Sequence, residues 1–148
     1  MNTWSGSWVT RRLGVELTGD ASLPDLLGLA LRRNPKRAHL LVSNVLGKHV
    51  PQSPSVVYGH GAALGRRVRE LLGDSAADAV VLGYAETATG LGHCVADGLG
   101  TAPYLHSTRR PVAGTATAGG FEESHSHATS HLLLPEDRRL LAGDGPLV

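Results

Sequence analysis

Ala79-Val80-Val81-Leu82-Gly83-Tyr84-Ala85-Glu86-Thr87-Ala88-Thr89-Gly90 is the stretch on which the fold turns. Its first four residues form a continuous apolar run, the pattern of a strand buried on both faces of a sheet. A turn of small residues follows. Residues 87–99 then read as a helix, weakened by Gly90, Gly92 and Gly98. Strand, tight turn and helix in that order belong to a parallel α/β sheet, where ligands bind outside the carboxyl ends of the strands. Backbone N–H groups at the helix start, with the hydroxyls of Thr87 and Thr89, suit a phosphate or pyrophosphate. The plainer reading is a bare strand-to-helix connection capped by Thr87. Glu86 sharpens the choice, because a carboxylate there repels a phosphate unless it binds a hydroxyl or a metal-bound water.

Outward from this stretch the alternation continues. Residues 62–72 read as a helix with Leu64, Val68, Leu71 and Leu72 on one side, ended by Gly73. Pro103-Tyr104-Leu105 and His39-Leu40-Leu41-Val42 read as strands. Residues 47–54 read as a loop. Ser22 and Pro24 open a helix that carries Leu26, Leu27, Ala30 and Leu31 and stops at Asn34-Pro35. Val9, Leu13, Val15 and Leu17 share one parity, which reads as a strand. Residues 111–131 hold almost no core material, and a stretch of that length is more often a functional lid than padding. The fold class expected is α/β, a parallel sheet with helices on both faces. Asp144-Gly145-Pro146 is turn chemistry, and Leu147-Val148 opens a new apolar run. The chain therefore reads as a fragment of a larger α/β domain, incomplete at its C-terminus.

Composition bounds the function. The 148 residues suit one domain, residues 1–148, and 41% of them are apolar, enough for an ordinary core. Formal net charge is +1, so bulk charge gives no drive toward nucleic acid. Aromatics are only 4%, which leaves little surface for stacking bases. The single cysteine, Cys94, excludes an internal disulfide and a cysteine-cluster zinc module, and reads as a small core residue. No apolar run approaches about 18 residues, so no membrane span is expected. No signal peptide is visible in residues 1–7, and a soluble cytoplasmic protein is the expectation. Arginine far outnumbers lysine and isoleucine is absent, a drift toward GC-rich codons.

Three further constellations carry chemistry. Val56-Val57-Tyr58-Gly59-His60-Gly61-Ala62-Ala63-Leu64-Gly65 brushes against a dinucleotide fingerprint, but its glycine spacing is wrong and no acidic residue ends a following strand. Glu122-Glu123-Ser124-His125-Ser126-His127-Ala128-Thr129-Ser130-His131 could ligate zinc, touch an anionic or sugar ligand from a lid, or be a solvated loop. It lacks the H-E-x-x-H helix of a metalloenzyme. Arg109-Arg110 follows a strand, where a planar guanidinium fork suits phosphate. Surface salt bridges are the alternative, since arginine pairs recur at Arg11-Arg12, Arg32-Arg33, Arg66-Arg67 and Arg138-Arg139.

Taken in order, several segments resemble a type I phosphoribosyltransferase of the orotate phosphoribosyltransferase-like kind. The likeness is to the branch found in bacterial tellurium-resistance biosynthetic operons. The segments are Arg33-Asn34-Pro35-Lys36-Arg37, Leu41-Val42-Ser43-Asn44-Val45-Leu46-Gly47-Lys48-His49-Val50-Pro51, Leu82-Gly83-Tyr84-Ala85-Glu86-Thr87-Ala88-Thr89-Gly90-Leu91-Gly92-His93, His106-Ser107-Thr108-Arg109-Arg110 and Glu122-Glu123-Ser124-His125-Ser126-His127-Ala128-Thr129. The resemblance implies a Rossmann-like parallel sheet and transfer of phosphoribosyl from phosphoribosyl diphosphate, with Mg²⁺, to a base or other acceptor. Ala85, Glu86, Thr87, Ala88 and Thr89 would form the pyrophosphate loop, and Arg109 and Arg110 would meet the diphosphate. Residues 111–131 would be a mobile hood whose His125, His127 and Glu123 face the leaving group. Ser43 and Lys48 lie in the segment that approaches the acceptor. No protein metal ligand is assigned, and relatives commonly form homodimers.

The departure is large. The family's acidic pair, followed by a Thr/Ser-Gly turn, holds the ribose hydroxyls and 5′-phosphate. This sequence has no Asp-Asp, and its adjacent acidic pairs, Glu122-Glu123 and Glu136-Asp137, follow no apolar strand. The chain alone is therefore expected to be inactive or nearly so, a glycosyltransferase only if completed by downstream sequence. A non-catalytic phosphate- or nucleotide-binding module is the alternative, and a His-rich metal-binding protein a third.

Overall fold

The computed structural model describes residues 7–15, 18–31, 33–34, 38–122 and 130–148. It divides into two compact units, Met1–Val57 and Tyr58–Val148.

In the first unit, helix α1 spans Ser7–Leu13, where a strand was expected. Val9 and Leu13 share parity, but they are also four apart, which suits one face of a helix equally well. Val9 is fully buried. The helix expected to open at Ser22 and Pro24 and to run to Asn34-Pro35 is a single turn, α2 at Leu23–Leu26, followed by strand β1 at Leu27–Leu31. Gly28 weakens a helix here, and tertiary pairing decides. β1 pairs antiparallel with β2, His39–Ser43, from Leu27 opposite Ser43 to Leu31 opposite His39.

Helix α3, Pro54–Leu72, starts eight residues earlier than its apolar spacing suggests. Ser53 and Pro54 supply the start, for the Ser53 carbonyl accepts from the N–H groups of Val56 and Val57. The Tyr58-Gly59-His60-Gly61 run is therefore helix interior, not a nucleotide loop after a strand.

In the second unit, strand β3 (Val81–Gly83) runs into helix α4 (Ala88–Leu99), and β4 (Tyr104–His106) lies parallel beside β3. Residues 146–148 flank the other side of β3: Val80 and Leu147 bridge in parallel, and the Leu82 N–H donates to the Val148 carbonyl at 2.8 Å. β3 is thus a central strand, as its composition predicts. Its Val81 packs with Ala79, Val95, Ala96 and Leu99 in a core made of small and medium aliphatic residues. Val80 and Leu82 are only half-buried, so the opposite face is less covered than a doubly buried strand requires.

Residues 111–131 are not structureless. β5 (Gly119–Glu122) and β6 (Ser130–Leu133) pair antiparallel, with Phe121 opposite His131. Thr108 bridges Leu132, which docks β6 against the exit of β4. The architecture is mixed α/β. Among the described residues the strands form three two-stranded sheets, one of them parallel, in place of the single Rossmann-like sheet expected. No helix among the described residues is long and apolar enough to cross a membrane.

Candidate functional site

Parallel pairing puts the ends of β3 and β4 at one edge, Gly83 opposite His106. Residues 84–87 and 107–110 therefore leave the sheet side by side. This brings the Ala85, Glu86 and Thr87 turn next to the segment carrying Arg109 and Arg110.

Bare backbone makes the turn tight. A Cβ on Gly83 would lie 2.6 Å from the Ala88 carbonyl oxygen and 2.8 Å from Tyr104 Oη, so only glycine lets α4 start this close to β3. Gly92, one turn into α4, faces the same Tyr104 ring. Tyr104 fills the space that the two glycines leave, and its hydroxyl donates to the Thr89 carbonyl. Burial raises the Tyr104 pKa above the ordinary phenol value.

Much of the turn's own hydrogen bonding holds its shape. The Ala85 N–H donates to Ser107 Oγ at 2.8 Å, and the Ala88 N–H to the Tyr84 carbonyl at 3.0 Å. The Thr89 N–H reaches the Glu86 carbonyl at 3.4 Å. Thr87 sits in helical backbone geometry and makes no side-chain cap, contrary to the plainer reading of the sequence. The Ala85–Glu86 peptide is cis. Glu86 and Thr87 are the exposed residues that follow it.

Ser107, the first residue beyond β4, is fully buried. Its Oγ also lies 2.9 Å from Nδ1 of His131, which is 1% exposed. His131 stacks on Phe121 at 4.6 Å and 9°, and Phe121 meets Tyr84 at 4.6 Å. One histidine of the Glu122-to-His131 cluster is therefore core. Tyr104 carried no chemical motif in the sequence, and Ser107 stood out only as part of the His106-Ser107-Thr108-Arg109-Arg110 segment; the faint signal for Tyr104 was a glycine at 83 and another at 92 around an aromatic strand residue.

Arg109 is half-buried and Arg110 exposed, directly after the Thr108–Leu132 bridge. The Thr108 hydroxyl accepts from the Arg110 N–H at 3.2 Å. The Arg138-Arg139 pair has structural partners: Arg139 grips Asp137 at 2.7 Å, and Arg138 donates to the Thr117 carbonyl. Glu136-Asp137 does follow a strand, three residues beyond the end of β6, but Asp137 caps the 3-10 turn Arg138–Leu141.

Ser43 and Lys48 belong to the first unit. The Ser43 hydroxyl accepts from the Val45 and Leu46 N–H groups and so shapes the loop after β2, on which Lys48 is exposed. Glu123, His125 and His127 lie outside the described residues, as do Pro35, Lys36 and Arg37. Among the described residues no group of three or more His, Cys, Asp or Glu side chains could hold a metal ion.

A family model described as phosphoribosyl transferase matches residues 26–148. The chain belongs to the phosphoribosyl transferase family. No curated protein and no solved structure matched in the corresponding comparisons. The match takes in the β3–α4 turn, the Arg109-Arg110 segment and the β5–β6 hairpin of this phosphoribosyl transferase family member, and leaves out α1.

Proposed function

We propose that the edge formed by residues 84–89 and 107–110 binds the diphosphate of phosphoribosyl diphosphate. The protein then takes part in phosphoribosyl transfer to a base or other acceptor. The observation that carries this reading is the parallel β3–β4 pair, which delivers a small-residue turn, a helix start and two arginines to one edge in a chain of this family. Anions are favoured at a helix N-terminus, and arginine binds phosphate through paired N–H groups.

Phosphoribosyl transfer breaks the bond between the anomeric carbon and the diphosphate, through an oxocarbenium-like transition state. Arg109 and Arg110 neutralise charge as it builds on the departing diphosphate, and Thr87 donates to its oxygens. Residues 111–131 act as the hood that excludes water, and His125, His127 and Glu123 are its candidate groups for the leaving diphosphate. Magnesium, arriving with the diphosphate, supplies charge neutralisation. The donor set at the turn fits it, because such an ion keeps several waters and needs only one or two carboxylates beside phosphate oxygens. Glu86 is the carboxylate at hand, which would hold such an ion through a water or would meet a ribose hydroxyl. Ser43 and Lys48 serve the acceptor side.

The segments 41–51 and 82–93 support placement near orotate phosphoribosyltransferases, in the tellurium-resistance operon branch. A cytoplasmic location and a homodimer accompany this reading. The test is a ³¹P NMR titration of the protein with phosphoribosyl diphosphate and with inorganic pyrophosphate, each with Mg²⁺. Saturable binding is expected, weakened about tenfold or more in Arg109→Ala and Arg110→Ala. Absence of binding by the well-folded protein would overturn the reading.

A further inference from the structure

Two separate contacts tie the β5–β6 hairpin to the turn after β3. The first is a hydrogen-bonded chain from the Ala85 N–H through Ser107 Oγ to His131 Nδ1, at 2.8 and 2.9 Å. The second is a run of rings, Tyr84 on Phe121 and Phe121 on His131. Phe121 and His131 are the directly opposed cross-strand pair of the hairpin, so both contacts end on one rung of that ladder. The next residue of β6, Leu132, exchanges two backbone hydrogen bonds with Thr108, at 2.9 and 2.7 Å, immediately before Arg109.

The chemistry of the chain is specific. A serine hydroxyl has one hydrogen to give and can accept others. The Ala85 N–H donates into Ser107 Oγ, and Ser107 Oγ and His131 Nδ1 share a second hydrogen bond, whose hydrogen belongs to the hydroxyl or to the ring according to the histidine tautomer. Ser107 is fully buried and His131 nearly so, and a hydrogen bond shielded from water is held to its geometry more firmly than an exposed one.

We propose that Ser107 and His131 are positioning residues: the hairpin, through them, fixes where the Ala85–Glu86 backbone sits and so sets the affinity of the turn for a diphosphate group. This rests on the phosphate reading of that turn. The hairpin then does more than cover the site, because moving its Phe121–His131 rung moves the turn on one side and the start of the Arg109-Arg110 segment on the other.

The experiment uses the full chain and two variants, Ser107→Ala and His131→Phe. The phenylalanine keeps an aromatic ring against Phe121 and removes both ring nitrogens, Nδ1 with its bond to Ser107 included. Amide hydrogen exchange at Ala85 is read by NMR, and inorganic pyrophosphate affinity by ³¹P titration with Mg²⁺. Ser107→Ala is expected to speed Ala85 exchange about tenfold or more and to weaken pyrophosphate binding by a similar factor. His131→Phe, which leaves the direct Ala85 N–H to Ser107 Oγ bond its two partners, is expected to change both in the same direction by a smaller factor. Faster exchange without weaker pyrophosphate binding would mark the pair as merely structural and overturn the proposal. So would a folded His131→Phe protein whose Ala85 exchange is unchanged. Should Ser107→Ala fail to fold, His131→Phe decides alone. If the unaltered protein binds no pyrophosphate, the phosphate reading fails, and Ala85 exchange still decides whether the pair holds the turn.

Discussion

Replacing Gly65 by alanine should destabilise the second unit, although alanine is the better helix former. Gly65 is on α3 and meets α4 backbone to backbone. A Cβ built there lies 2.2 Å from the Val95 carbonyl oxygen and 2.8 Å from Gly98 Cα. Ordinary contact begins near 3.4 Å, so the methyl is 1.2 Å too close, to atoms that no rotamer change can move. The helices must separate by about that much. Overpacking a tight contact costs about 1–3 kcal/mol, and the upper end applies when backbone must yield. Alanine returns about 1 kcal/mol of helix propensity. The expected net loss is about 2 kcal/mol, or roughly 8–16 °C in Tm for a unit of this size.

Gly59, on the same helix, is the control. Nothing lies within 4 Å of its Cβ position, so Gly59→Ala should instead gain up to about 1 kcal/mol. Gly98→Ala presses the same contact from the other side, with its Cβ 2.2 Å from the Ala62 carbonyl oxygen. Because one separation relieves both, the double variant should lose less than the sum of the two singles. Thermal and urea unfolding by circular dichroism measure the four variants and the unaltered chain. A Gly65→Ala protein as stable as the unaltered chain would refute the close-crossing argument.

Gly83→Ala should weaken pyrophosphate binding more than it lowers Tm, since its Cβ meets the Ala88 carbonyl and pushes the turn from β3; equal binding by a folded variant would count against this. Asp137 is held below the usual carboxylate range by its hydrogen bonds from Arg139. Its small contribution to stability is therefore present above the unfolded-state value and fades as pH falls through the lowered folded value; a ¹³C carboxylate titration in Arg139→Ala should show it raised toward the usual range, with the depression due to the backbone N–H of residue 139 remaining. The Tyr58 hydroxyl donates to Asp97 at 3.1 Å, which raises its pKa. Any contribution is complete below the unfolded phenol value and lost as pH rises through the folded one, and phenolate absorbance in Asp97→Asn should show ionisation at lower pH.

The β3–α4–β4 unit was legible because each element carries its own local signal: a continuous apolar run, a small-residue turn, a helix ended by Gly100 in left-handed geometry. The first unit was not. Val9 and Leu13 fit two periodicities at once, and Leu27–Leu31 becomes a strand only because His39–Ser43 lies across from it. In α3, Gly61 fell outside the helix expected over residues 62–72, whereas together with Gly65 it forms the face that lets α4 approach. The candidate site divides in the same way. Its turn and its arginines could be placed from strand ends, but Ser107 and His131 are 24 residues apart and meet only through the Thr108–Leu132 bridge.

That division has a consequence for how the turn works. Glu86 and Thr87 are exposed, while the Ala85 and Ala88 N–H groups point inward, to Ser107 and to Tyr84. The sequence of the turn therefore supplies its chemistry but not its shape. Shape comes from Gly83 and Gly92, which admit Tyr104, and from Ser107, which catches Ala85. A substitution at Glu86 or Thr87 should change what binds without changing the fold, whereas one at Gly83, Tyr104 or Ser107 should change how well the turn binds anything. The residues to vary first, in testing the proposed phosphate site, are thus the ones beneath the turn.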